Sequence, residues 1–72
     1  MDYIIIKRSK VYHVAKVQDG IKLFIIYRKG GKTKYSSDIT YAYPYKSIDR
    51  AKRIINLLAK NGNCKANITI CE

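Results

Sequence analysis

The sequence has little of the chemistry that enzymes need. It contains five Asp and Glu residues, one histidine and no tryptophan among 72 positions. His13 and the scattered acids do not form a paired general acid and base. His13 and the two cysteines also lack the spacing of zinc ligands. We therefore expect a protein without enzyme activity, cofactor, metal or small-molecule substrate.

The chain also lacks a long hydrophobic run. The N-terminal apolar run YIII, at positions 3–6, is far shorter than a signal-peptide core or a membrane span. Cys64 and Cys71 fall in one predicted strand, which places their Cα atoms roughly 23 Å apart, beyond the reach of a disulfide. These features predict a soluble cytoplasmic protein with free thiols and no membrane association.

Positive charge is what the sequence has in excess. Fifteen Lys and Arg residues stand against five acidic residues, which leaves a net charge of +10. With 72 residues, 47% of them hydrophobic, the chain is expected to form one ordered domain over 1–72 with a single core. The charge favours polyanionic partners. We expect nucleic acid, with DNA favoured, or an acidic host protein.

Turn signals divide the first part of the chain into strands. Asp19-Gly20 and Gly30-Gly31 each lie between β-rich stretches and favour two-residue hairpins, because Gly tolerates the positive φ of such turns. We predict strands near 3–7, 11–18, 21–29 and 32–43. A bulge or bend at the Ser-Ser-Asp stretch 36–38 would interrupt the last of them.

The pattern changes to a helical period after Pro44. Ser47 suits an N-cap and Gly62 suits a C-terminal stop, which predicts an amphipathic helix over 48–60. Alternating apolar and polar residues then predict a closing strand over 64–71. The expected fold class is α+β, an antiparallel sheet of four to five strands with one helix packed on one face.

The two hairpins fix which side chains share a face of the sheet. With Gln18 opposite Ile21, and Lys29 opposite Lys32, alternation produces one apolar face and one face of interleaved lysines and tyrosines. We expect the helix to cover the apolar face and to leave the lysine and tyrosine face in solvent. The apolar face comprises Ile4, Ile6, Val11, His13, Ala15, Val17, Phe24, Ile26 and Tyr35.

The lysine and tyrosine face and the basic hairpin tip form the predicted binding site. Lys ammonium groups neutralise phosphates, and a tyrosine ring stacks on a base or sugar without sequence preference. A plainer reading is that the lysines keep an exposed sheet face soluble, while the tyrosines fill the gaps between their stems. The candidate nucleic-acid-binding residues are Lys7, Lys10, Tyr12, Lys16, Tyr27, Arg28, Lys29, Lys32 and Lys34.

Tyr41, Tyr43 and Tyr45 alternate along the chain and would point the same way on an extended segment. If strand 32–43 is unbroken, these rings follow Tyr35 toward the helix and line the rim of the core. A bulge at 36–38 would instead turn the row outward as a platform for nucleobases. We favour the rim arrangement.

Residues 21–58 resemble a known domain in the stretches IKLFIIYRKGGKTKYSSD and YKSIDRAKRIINLL. Before its helix that family has an aromatic residue, a basic residue and Ser or Thr, matched here by Tyr45, Lys46 and Ser47, and then an acid and Ala. Ala51 matches, but Arg50 stands where the acid would be. The stretch resembles the arm-binding domain of phage and transposon tyrosine recombinases.

This resemblance implies a three-stranded antiparallel sheet, followed by a packed helix, that enters the major groove of DNA. The chain has no catalytic domain, so we do not expect recombination itself. The resemblance implies phosphate contacts from Arg28, Lys29, Lys32 and Lys34 and base-edge contacts from Tyr12, Lys16 and Tyr27.

Two other functions remain open. The composition, rich in Ile, Lys and Tyr, is similar to that of small proteins from AT-rich phages and mobile elements, which often bind host proteins. The runner-up is therefore a phage inhibitor or adaptor that docks on an acidic or nucleic-acid-binding surface of a host enzyme such as a CRISPR effector. A third hypothesis is a structural module that assembles through the edge of strand 64–71. Charge does not separate the first two, because both partners are negative.

Overall fold

The protein is α+β, with a five-stranded sheet and one α-helix in the computed structural model, which describes residues 2–29, 32–62 and 65–71. The strands stand in the order β4-β3-β2-β1-β5. Along the chain the elements are β1 (Asp2–Arg8), β2 (Val11–Gln18), β3 (Ile21–Lys29), β4 (Lys32–Ser36), a 3-10 helix (Ile39–Tyr41), α1 (Ile48–Asn61) and β5 (Asn67–Cys71).

The first four strands form consecutive antiparallel pairs. Gln18 lies opposite Ile21, the pairing that the Asp19-Gly20 turn predicts, and both turn residues have positive φ, 53° and 76°. Lys29 lies opposite Lys32, while the Gly30-Gly31 turn itself is outside the described residues.

The sheet is mixed, so the prediction of a purely antiparallel sheet was wrong. β5 pairs in parallel with β1, with Asn67 opposite Asp2. Helix α1 accounts for this direction, because it carries the chain back to the end of the sheet where β1 begins. The predicted strand 64–71 starts at Asn67 in the structure, and Cys64 lies outside the described residues.

A bulge in β3 changes the faces of the sheet. Ile25 pairs with Tyr35, but Tyr27 pairs with Lys34, so one extra residue of β3 lies between them. The bulge places Tyr35 on the same face as Ile25, whereas regular alternation predicted opposite faces. Tyr27 and Lys34 consequently share the other face.

The segment 43–45 lies between β2 and β3. These two strands pair with each other only over 15–18 and 21–24. Beyond that point, Tyr12 and Tyr45 exchange two backbone hydrogen bonds of 2.7 and 2.8 Å, and the Tyr43 N–H donates to the Ile25 carbonyl at 2.8 Å. We call residues 43–45 the inserted segment.

Through this insertion the chain crosses from one face of the sheet to the other. Just before it, Ala42 packs with Ala15 and Phe24 on the first face. Just after it, α1 begins and buries Ala51 and Ile55 on the second face. The crossing decides which face the helix covers.

Helix α1 covers the face that the sequence predicted to be free. Its buried partners on the sheet are Tyr3, Ile5, Val14 and Ile25, all fully or almost fully buried. The prediction that the helix covers the face of Ile4, Ile6 and Ala15 was therefore wrong. Three residues of the predicted apolar face, Ile6, Ala15 and Phe24, pack instead with Ile39 and Ala42 in a smaller cluster on the other face.

Local hydrogen bonds explain where β4 ends and α1 begins. β4 stops at Ser36, although the prediction extended to 43, because the Asp38 side chain accepts a hydrogen bond from the Thr40 N–H at 2.9 Å and caps the 3-10 helix. This hydrogen bond lowers the pKa of the exposed Asp38 carboxyl. Ser47 caps α1 by accepting from the Arg50 N–H at 3.2 Å.

Among the residues that the structure describes, no helix is long and apolar enough to cross a membrane.

Candidate functional site

An open groove of about 510 Å³ lies between the inserted segment and α1. We call it the basic groove, because three of the described side chains that line it are cationic and none of them is acidic. It is lined by Tyr43, Pro44, Tyr45, Lys46, Arg50, Arg53, Ile54 and Leu57.

The inserted segment supplies the aromatic wall of the basic groove. Tyr43 and Tyr45 are two residues apart on extended backbone, and their ring centroids lie 4.8 Å apart at an interplanar angle of 55°. Tyr45 packs against the main core, whereas Tyr43 keeps 47% of its surface exposed. The groove therefore presents one solvent-facing ring supported by a second, half-buried ring.

His13 holds the backbone of this wall in place. It is 6% exposed, and its Nδ1 lies 3.1 Å from the Tyr43 carbonyl oxygen. Since a carbonyl only accepts, Nδ1 carries the proton in this contact. With the Tyr12–Tyr45 and Tyr43–Ile25 hydrogen bonds, the imidazole fixes the inserted segment from both neighbouring strands.

Helix α1 supplies the opposite wall. Arg50, Arg53, Ile54 and Leu57 are spaced by three and four residues, so they form one stripe along the helix. Leu57 is 40% exposed, although it is a large apolar side chain. The stripe combines two guanidinium groups with an accessible apolar patch next to the Tyr43 ring.

The cations of the basic groove remain available for a ligand. Within the described chain, neither Arg50 nor Arg53 has an ion pair with a carboxylate. The positive end of the α1 dipole lies beside Lys46, and Asp49 in the first turn offsets part of it. The described charged side chains that line the groove are all cationic, which suits an anion.

The predicted site residues on the helix side are partly covered. Tyr12 is half-buried and packs against the main core. Lys16 is also half-buried, with its Nζ 4.2 Å from the centroid of the Tyr35 ring, a cation–π contact. Lys7 lies exposed opposite Tyr12, and Lys10 lies exposed in the turn between β1 and β2.

The remaining predicted residues cluster toward the end of the β3–β4 hairpin. Lys29 and Lys32 are exposed and directly opposite each other, and Tyr27 and Lys34 form an exposed pair on the face away from α1. The Arg28 side chain is outside the described part of the structure. The eight predicted residues whose side chains the structure describes thus do not share one open face. The role of all nine in binding stays a prediction.

The tyrosine row is broken in the structure. The 3-10 helix interrupts the strand, so Tyr41 is 63% exposed and outside the basic groove, while Tyr43 and Tyr45 share it. The prediction of an unbroken strand was therefore wrong. The structure has the alternative, an interruption of the strand at 36–38.

Sequence reasoning did not place Arg50 and Arg53 beside the tyrosines. The available signal was the margin of the helix, where Arg50 and Leu57 fall between its apolar and polar faces. Residues at such margins flank whatever the helix packs against. The tyrosines lie across the groove from α1 only because of the inserted segment, and no local sequence pattern indicates that insertion.

Over residues 2–29, 32–62 and 65–71, no group of three or more His, Cys, Asp or Glu side chains is positioned to hold a metal ion.

A second, smaller cavity of about 280 Å³ lies beside His13 and Arg8. Its imidazole is already engaged with the Tyr43 carbonyl.

Comparisons with known proteins identify no family for this chain. No protein-family model matches the chain, and neither curated proteins nor solved structures match it. The resemblance to recombinase arm-binding domains stays a prediction.

Proposed function

We propose that the protein is a small, non-enzymatic nucleic-acid-binding protein and that the basic groove is its principal contact site. The observation that carries this proposal is the half-exposed Tyr43 ring, which lies in one groove with Lys46, Arg50 and Arg53. Among the residues that the structure describes, no carboxylate lines this groove. Cations beside an aromatic surface are the combination that binds a phosphate backbone and an unpaired base together.

Each wall has a distinct role in this proposal. Arg50 and Arg53 bind phosphate oxygens through their guanidinium forks, and Lys46 adds a third charge at the mouth of the groove. The Tyr43 ring stacks on a base, which is worth about 1–3 kcal/mol per base. Because a stacked base must leave its partner, the groove favours single-stranded segments over a continuous duplex.

The hairpin lysines contribute at longer range. Lys29, Lys32 and Lys34 are exposed and raise the positive potential around the molecule. They increase the association rate and non-specific affinity without selecting a sequence.

The first test is a fluorescence-anisotropy titration with labelled random-sequence single-stranded DNA and the matching duplex, repeated over a range of salt. We expect binding at low salt, tighter for the single strand, and a log–log plot of affinity against salt with a negative slope. Neutralising Arg50 and Arg53 to Gln should make that slope shallower by roughly 1 to 2, since each phosphate contact contributes roughly 0.7 for single strands.

Failure to bind either polymer at low salt would remove nucleic acid as the partner. The same cations would then fit an acidic surface of a host protein, the second function that the net charge of +10 allows. In that case the decisive measurement is co-purification of one stoichiometric partner with the wild-type chain and its loss with the Arg50→Gln/Arg53→Gln variant.

A further inference from the structure

The two edges of the sheet differ in how they are protected. β4 carries two lysines in its sequence KTKYS, and charged side chains, especially lysines, are a common device that keeps an edge from pairing with another chain. β5, with the sequence NITIC, has no charged residue although the chain carries +10. Within the described residues, β5 pairs with β1 on one side and with no strand on the other.

The β5 edge also exposes an apolar side chain. Ile68 and Ile70 lie opposite Tyr3 and Ile5, so both belong to the face that α1 covers. Ile68 packs against the main core, but Ile70 is 42% exposed at the boundary of the sheet. An exposed isoleucine on an uncharged strand, with one edge that no described strand pairs with, is an open site for another strand.

We propose that β5 is a self-association edge, which pairs antiparallel with β5 of a second copy about a two-fold axis at Thr69. In this register Thr69 faces Thr69 of the partner chain, and the other pairs follow by symmetry. Ile70 lies opposite the partner's Ile68, so the exposed Ile70 of each copy is buried beside the half-buried Ile68 of the other. The register uses all five residues of the strand.

The absence of charged residues in β5 favours a second copy of the chain as the occupant. An uncharged strand offers nothing to select the acidic partners that the rest of the molecule attracts. An identical strand supplies the matching hydrogen-bond donors and acceptors and places isoleucine against isoleucine. The dimer would contain one continuous ten-stranded sheet, formed from two sheets of five strands.

Electrostatics makes this association weak and sensitive to salt. A five-residue strand buries less than the ~1,200 Å² at the lower end of stable interfaces, and each copy carries +10. Salt screens this repulsion, so dimerisation strengthens as salt rises. Nucleic-acid binding has the opposite dependence, so the two proposals are tested independently.

Analytical ultracentrifugation from about 10 μM to about 1 mM protein, with reductant present, measures the association. We expect a monomer–dimer equilibrium that shifts toward dimer between low and high salt. Ile70→Lys places a charge on the edge and should leave only monomer. Ile21→Lys is the matched control, since Ile21 is 55% exposed in β3, away from β5, and the net charge rises equally.

Cross-linking tests the register. The Thr69-centred pairing sets Asn67 opposite Cys71 of the partner, and Cys71 is an exposed free thiol. Antiparallel neighbours have Cα atoms about 4.5–5.5 Å apart, within disulfide range. In a Cys64→Ser background, Asn67→Cys should form a disulfide-linked dimer under mild oxidation, whereas the background alone should not.

A wild-type chain that stays monomeric at the highest protein and salt concentrations would overturn the proposal. So would a dimer that Ile70→Lys leaves intact, because the contact would then lie elsewhere. A dimer that Ile70→Lys abolishes but Asn67→Cys does not cross-link would reject the Thr69 register.

Discussion

At the scale of single residues, Tyr43 combines support with access. Its ring packs on Tyr45 at 4.8 Å, which limits its motion, yet nearly half of its surface faces solvent in the basic groove. A preorganised ring loses little side-chain entropy when a base stacks on it. Tyr41 is more exposed, at 63%, but it lies outside the groove and its neighbouring cations.

This contrast yields a matched pair of variants. Tyr43→Ala should weaken binding of single-stranded DNA about 10-fold, because one stacked base is worth about 1–3 kcal/mol. Tyr41→Ala removes an equally large exposed ring and should change the affinity less than 2-fold. Tyr43→Phe, which keeps the aromatic face, should bind almost as wild type. Anisotropy titrations at one salt concentration measure all three, and equal losses for Tyr43→Ala and Tyr41→Ala would exclude stacking in the groove.

At the scale of elements, the inserted segment determines the architecture. It separates β2 from β3, forms one wall of the basic groove and carries the chain to the face where α1 packs. Backbone hydrogen bonds to β2 and β3 hold it, and the buried His13 imidazole adds a side-chain contact at 3.1 Å. Its stability should therefore depend on His13 more than the rest of the sheet does.

His13→Ala tests that dependence. The substitution leaves the Tyr43 carbonyl without its donor and should lower the free energy of unfolding by about 1–3 kcal/mol. In hydrogen exchange, the Tyr43 and Tyr45 amides should lose more protection than the amides of the β1–β2 ladder. Gln18→Ala, at an exposed strand end, is the control for both measurements. Uniform loss of protection across the sheet would mean that the imidazole supports the whole core rather than this segment.

The elements differ in how far sequence predicts them. The turn at Asp19-Gly20 and the caps Ser47 and Gly62 depend on residues close in sequence, and they place the hairpin register and α1 within a residue or two. The direction of β5 and the insertion depend on contacts between distant residues, such as Tyr12 with Tyr45. Local patterns do not contain that information.

The error in the faces has one physical origin. Alternation assigned each side chain to a layer, but both layers contain apolar residues, because each is covered by a different part of the chain. By alternation, Ile5, Val14 and Ile25 fall on the lysine and tyrosine face. Only the position of α1 shows that they form the main core. The candidate site therefore differs from the predicted one, because the margin of α1 borders the groove and the open sheet does not.

At the scale of the whole molecule, net charge links stability, binding and assembly. The chain carries +10 on 72 residues, and like charges destabilise the compact state by mutual repulsion. One local instance is the exposed pair Lys29 and Lys32, whose Cα atoms are direct partners across the β3–β4 ladder. Like charges in this position cost roughly 0.2–1 kcal/mol.

Thermal unfolding across a range of salt measures this repulsion. Lys32→Gln removes the cross-strand pair and should raise the Tm at low salt by a few degrees, since 1 kcal/mol corresponds to about 4–8 °C in a domain of this size. The gain should shrink toward zero at about 1 M salt, where the Debye length is about 3 Å. Lys52→Gln removes the same charge from an exposed position of α1 and should raise the Tm less. Equal gains from both variants would show that net charge, rather than the facing pair at the hairpin end, limits the stability of the fold.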